Sequence, residues 1–153
     1  MRISRKTDYA IRTLFSLVDE YGNGPVPIRV LAERNSVPKP FLEHIVLEMK
    51  AQGWVDSVAG KKGGYFLSRD PEKITMGEVI RYFEAERLAL ESQQPTNFES
   101  ITHEGARRFS RMLHEIRIMT DKLMDESSLA DVCHGTSTIR ESYFDTVTGG
   151  LGI

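Results

Sequence analysis

At 153 residues the chain has the length of one domain, or of one domain with an appendage. Hydrophobic residues make up 40% and charged residues 27%, ordinary for a globular protein, and no window approaches the roughly 18 apolar residues of a membrane span. The net charge of -2 divides unevenly: residues 1–69 carry 11 Lys+Arg against 7 Asp+Glu, a net +4, and residues 70–153 carry 9 against 15, a net -6. The front half is therefore the part suited to a polyanion. The single cysteine, Cys133, excludes an internal disulfide framework and fits a reducing cytoplasm. The opening residues, Met1 to Lys6, have cations but no apolar run behind them, so they do not read as a signal peptide.

Thr7 is placed as an N-cap or early helical residue before a wide apolar face at Ala10, Ile11, Leu14, Phe15, Leu17 and Val18. Gly22-Asn23-Gly24-Pro25 stops that helix. A second helix is expected over Ile28 to Asn35, with Val30, Leu31 and Ile28 inward, then a turn at Asn35-Ser36-Val37-Pro38 in which Val37 plugs the gap between helices. Pro38-Lys39-Pro40 opens a third helix, with Phe41, Leu42, Ile45, Val46 and Met49 at helical spacing and Gly53 at its end. Two short β-prone runs follow, Trp54 to Val58 and Tyr65 to Leu67, joined by Gly60-Lys61-Lys62-Gly63-Gly64. Strand, Gly-rich tip and strand make a β-hairpin, and a helix-turn-helix followed by a basic hairpin reads as a winged DNA-binding module.

Thr75 and Glu78 form a capping-box pattern before Met76, Val79, Ile80 and Phe83. Residues 88–100 are polar and irregular and read as a loop. A long helix runs from about Thr102 to about Asp125, with Phe109, Met112, Ile116, Met119 and Leu123 at intervals of 3, 4, 3 and 4 and Leu113 widening the stripe. That is two heptad repeats, a spacing that an ordinary core helix also shows but that, on a helix set apart by a loop, favours a seam for pairing with another helix. Ser127 to Val132 read as a short turn or helix, and residues 135–153 as a mobile tail. The expected organisation is a winged domain over 1–87, a loop over 88–100, a dimerisation helix and following turn over 101–134, and the tail. The fold class is mainly α with a small β-hairpin.

Several stretches together resemble the Rrf-type (IscR/NsrR-like) bacterial transcriptional regulators. They are Met1-Arg2-Ile3-Ser4-Arg5-Lys6-Thr7-Asp8-Tyr9-Ala10, Leu31-Ala32-Glu33-Arg34, Phe41-Leu42-Glu43, Gly60 to Leu67, Ile74 to Ile80 and Ser128 to Val132. The resemblance implies a homodimer, each subunit with a winged helix-turn-helix and a long crossing helix, on a roughly palindromic operator in double-stranded DNA. Many such proteins hold an iron–sulfur cluster on three cysteines in the loop before the long helix. Counting along this chain, those places fall on Ser92, Phe98 and Glu104, none of which can supply a thiolate. Asp8 stands where some relatives place a cluster ligand. No cluster and no other cofactor is expected. The wing also departs from the pattern: Ala59 replaces a frequent Arg, and Lys61-Lys62 replace the usual Pro and Gly. Phosphate attraction should then outweigh minor-groove shape reading at the tip.

The candidate DNA-contacting residues are Arg2, Arg5 and Lys6 as phosphate clamps, Ser36, Lys39, Phe41, Glu43 and His44 at the start of the recognition helix, and Lys61, Lys62 and Gly63 on the wing. Phe41 suits either a thymine methyl or internal packing. Candidate dimerisation residues are Phe109, Met112, Leu113, Ile116, Met119 and Leu123. Cys133, beside His134 and near Asp131, is a candidate redox or ligand sensor, though adjacent ligands chelate one ion poorly, and no metal is expected. The leading reading is a homodimeric transcriptional regulator, a repressor, in the cytoplasm and with no membrane partner. Two others stay open: a winged-helix module for protein contacts, and a regulator responding to redox state or an unknown small molecule through Cys133 or the loop. No catalytic pattern is present, so no enzyme is expected.

Overall fold

The computed structural model describes residues 2–92 and 102–136. Helix α1 spans Arg5–Asp19, and its N-cap is Ser4, whose hydroxyl accepts from the Thr7 amide. Thr7 itself is in the first turn and fully buried, so it does not cap. Helix α2 spans Ile28–Asn35 and α3 spans Lys39–Ala51. Between them Ser36 takes a left-handed conformation, with φ of 53°. Val37 is 4% exposed and fills the space between the two helices, as its position in the turn suggests.

Strands β1 (Val55–Val58) and β2 (Gly64–Leu67) pair antiparallel, with Val55 opposite Leu67 and Val58 opposite Gly64. Val26 adds a third, one-residue edge by exchanging two 2.8 Å backbone hydrogen bonds with Tyr65. Gly64 permits that approach: a Cβ there would lie 2.3 Å from the Val26 carbonyl.

A short 3-10 turn, Pro71–Lys73, leads to α4 (Met76–Phe83). The expected capping box is half made. Thr75 accepts from the Glu78 amide, but the Glu78 carboxylate turns away to the Trp54 indole N–H at 2.9 Å and to Arg69. The complete capping box is at the other end of the chain, where Ser128 and Asp131 open α7 (Leu129–His134). Helix α5 covers Ala85–Ser92, so residues 88–92, expected as loop, are helical. The remainder of that stretch, with Phe98, and the tail beyond residue 136 lie outside the described residues.

The core joins Ala10, Leu14 and Leu17 of α1, Leu31 of α2, Leu42, Ile45, Val46 and Met49 of α3, Trp54, Ile74 and Val79. Trp54 is sealed by Tyr82 and Phe83, at ring separations of 5.6 and 6.2 Å. Leu129 belongs to the same core and is fully buried. The chain thus returns after the long helix α6 (Glu104–Asp125): Met76 and Leu129 donate 2.8 Å backbone hydrogen bonds to Ser127 and Ile74, and α7 packs on α1. Residues 129–134 are therefore part of the winged head rather than an appendage to the long helix.

Candidate nucleic-acid interface

Helix α3 presents two faces. Leu42, Ile45, Val46 and Met49 are buried, while Pro40, Glu43, His44 and Leu47 fall at i, i+3, i+4 and i+7 on the exposed side. Leu47 is 58% exposed. The apolar periodicity passed over it; its signal was its place one turn beyond Glu43 and His44. Lys39 and Glu43 approach to 3.8 Å, an exposed pair of little energetic weight that leaves both free to exchange partners. Phe41 packs edge-on against Tyr9, with ring centroids 5.8 Å apart, and keeps 44% of its surface exposed. Ser36 is exposed at the turn that feeds this helix.

The wing tip is a tight turn closed by the Gly63 amide donating to the Gly60 carbonyl at 3.0 Å, which puts Lys61 and Lys62 at its two central positions. Both are exposed, and among the described residues neither has an ion-pair partner. Gly63 is buried; a Cβ there would collide with the Val58 carbonyl at 2.1 Å, so its role is to close the turn rather than to present a contact. Wing and helix are tied together by Lys50 of α3, which donates to Ser57 Oγ at 2.8 Å and pairs with Asp56 at 3.1 Å.

Arg2 and Arg5 are exposed beside the start of α1. Lys6 departs from the expected phosphate clamp. Its ammonium group pairs with Glu48 at 2.7 Å and stands 5.6 Å from the centroid of the Phe83 ring, so its charge is engaged within the molecule. Asp8 is paired with Arg12 on its own helix. Behind the entry to α1, Glu84 is 3% exposed and accepts from the Ser4 amide at 2.6 Å, from Arg87 at 2.8 Å and from the Thr7 hydroxyl. Burial alone would raise its pKa, but these donors overcome it and hold the carboxyl at about 2.

Helix α6 has no buried residue over its 22 positions. Phe109, Met112, Leu113, Ile116 and Met119 are all about half exposed, and so is Ile118, which lies off the expected stripe. Leu123, near the junction with the head, is half-buried. His103 caps this helix, its Nδ1 accepting from the Ala106 amide at 3.3 Å.

Cys133 is half-buried against the end of α1, 3.4 Å from an Asp19 oxygen. Burial and the Asp19 carboxylate push its thiol up to about 11. Redox sensing calls for a thiolate near neutral pH, so the sensor reading of Cys133 as a reactive thiol is opposed by its surroundings.

A helix-turn-helix whose second helix keeps one face exposed, followed by a two-lysine wing, defines a winged helix-turn-helix DNA-binding protein. The family model described as Rrf2, iron-dependent transcriptional regulator, matches residues 3–135, and the chain belongs to that family of DNA-binding transcriptional regulators. The HTH-type transcriptional regulator CymR of Bacillus subtilis is 28% identical over 146 residues, 94% of this chain and 97% of that one. NsrR of Bacillus licheniformis is 36% identical over 84 residues, 55% of this chain and 59% of that one. Among solved structures, CymR of B. subtilis, the global cysteine regulator of that organism, superposes with a TM-score of 0.69 at 26% identity, over 90% of this chain and 99% of that one. T. potens IscR, at 23% identity and a TM-score of 0.64, covers 90% and 89% and shares the fold.

The family description raises the question of iron, and the donor set here does not fit a cysteine-held cluster. Glu104, at one of the three places expected for a ligand, heads α6 with its carboxylate paired to Arg107 and Arg108. The chain's one cysteine is on α7.

Proposed function

We propose that this regulator is a homodimeric repressor that binds a roughly palindromic operator and works without an iron–sulfur cluster. The observation that carries the dimer is α6. A soluble helix normally hides an apolar stripe, and here the heptad residues Phe109, Met112, Ile116 and Met119 stand half exposed on a helix that leaves the head. A second copy of the same helix covers such a stripe with itself. Two heads then present two α3 helices, and two half-sites one helical turn or a multiple apart would satisfy both. The relatives' designation as transcriptional regulators supports the DNA reading; the loss of thiolates at Ser92, Phe98 and Glu104 supports the cluster-free one. Cytoplasmic placement follows from the DNA target, and among the described residues no helix is long and apolar enough to cross a membrane.

Ile116→Glu places two like charges across the seam and should convert the dimer to a monomer in light scattering, with operator affinity falling as the two heads lose their linkage. A dimer of unchanged mass would show that the copies pair elsewhere.

A further inference from the structure

The end of α1 and the last turn of α7 bring three different metal-ligating groups together. One ligand atom from each of Asp19, Cys133 and His134 lies within 4.8 Å of the others, and Cys133 Sγ is 3.4 Å from Asp19 Oδ1. Asp131, the carboxylate nearest in sequence, is occupied in the capping box, so the third ligand comes instead from 114 residues away. Adjacent residues on a helix diverge by about 100°, which is why Cys133 and His134 alone are poor partners; Asp19 stands at the gap between them.

From these positions we propose that Asp19, Cys133 and His134 form a binding site for a zinc-class divalent cation, with a fourth position open to solvent. Thiolate, imidazole and carboxylate are together the donor set of a borderline cation and do not suit magnesium or calcium. A tetrahedral ion with bonds of about 2.0–2.3 Å needs its ligand atoms about 3.3–3.6 Å apart, so the Cys133–Asp19 pair is already spaced for it. The widest separation closes by roughly 1 Å, within reach of rotation of the exposed His134 and Asp19 side chains. On binding, Cys133 Sγ gives up its proton to solvent and its lone pair forms the bond to the ion. The ion cross-links the first and last helices of the head. The site is made of this chain's own residues and stands whether or not the operator reading holds.

Cobalt(II) is the probe. Added to the metal-free 153-residue chain, it should bind with one equivalent per chain and give a near-ultraviolet thiolate-to-cobalt band with four-coordinate visible bands, and zinc should displace it. Cys133→Ser should remove the near-ultraviolet band. Asp19→Asn and His134→Ala, both at exposed positions that leave the core untouched, should each weaken cobalt binding by about tenfold or more. Zinc should raise the thermal midpoint of the native chain and leave that of Cys133→Ser where it was. Absence of the thiolate band overturns the proposal. So does a band whose affinity is the same in Asp19→Asn and His134→Ala, since that describes a lone thiol collecting cobalt.

Discussion

At the residue scale, two lysines carry the wing. Lys61 and Lys62 occupy the centre of a turn whose geometry is set by its glycines, so their charges are held outward without help from a neighbour. Contacts of this kind are made to phosphate and are blind to sequence. Lys61→Glu with Lys62→Glu should weaken binding to operator and random DNA alike, and should flatten the slope of log affinity against log salt by about 2 per subunit, about 4 for the proposed dimer. The measurement is a fluorescence titration over a salt series; an unchanged slope would remove the wing from the interface. Under the proposed operator reading, base contacts would fall to the exposed face of α3, which carries Lys39, Phe41, Glu43 and Leu47.

At the scale of elements, the helix-turn-helix and the wing were legible because each residue pattern had one local outcome. Pro27 and Pro38 start helices, Gly53 ends one, and Gly60 to Gly64 leave only a tight hairpin tip. What was not legible was chosen by tertiary contact. Glu78 has the spacing of a capping box but is drawn off by Trp54 and Arg69. Lys6 has the look of a surface cation but finds Glu48, 42 residues on. Ala85 to Ser92, polar on average, become a helix behind a Glu84 that sequence gives no reason to bury. That carboxylate joins the start of α1 to the α4–α5 junction, and its low pKa makes the joint acid-sensitive. A folded pKa of about 2 against an ordinary 4.5 means the contribution is present in full above pH 4.5 and is lost as pH falls from there toward 2. Its full size is up to about 3 kcal/mol. Glu84→Gln should lower stability at pH 7, and its denaturation midpoints should then fall less steeply than the native protein's between pH 5 and pH 3. Parallel curves would show that Glu84 is not the group lost.

For the whole molecule, the charge division takes a spatial meaning. The net positive charge of residues 1–69 falls in the half of the chain that holds the helix-turn-helix and wing, a balance suited to attracting a duplex to those elements. The proposed cluster-free reading rests on composition, since Cys133 is the one thiol among the 153 residues. Protein purified without oxygen should therefore be colourless and free of acid-labile sulfide; a visible iron–sulfur band at stoichiometric intensity would refute the cluster-free reading.

The return of the chain to seat Leu129 beneath Ile74 sets the order in which this protein can be made. A ribosome delivering about 5–20 residues per second completes both DNA-reading elements well before it delivers Leu129. Until then the core lacks a fully buried side chain and α1 lacks the helix that covers its end. A head whose chain ends before α6 therefore lacks both that side chain and the helix packed on α1, and it should unfold at a lower temperature than the head that carries them.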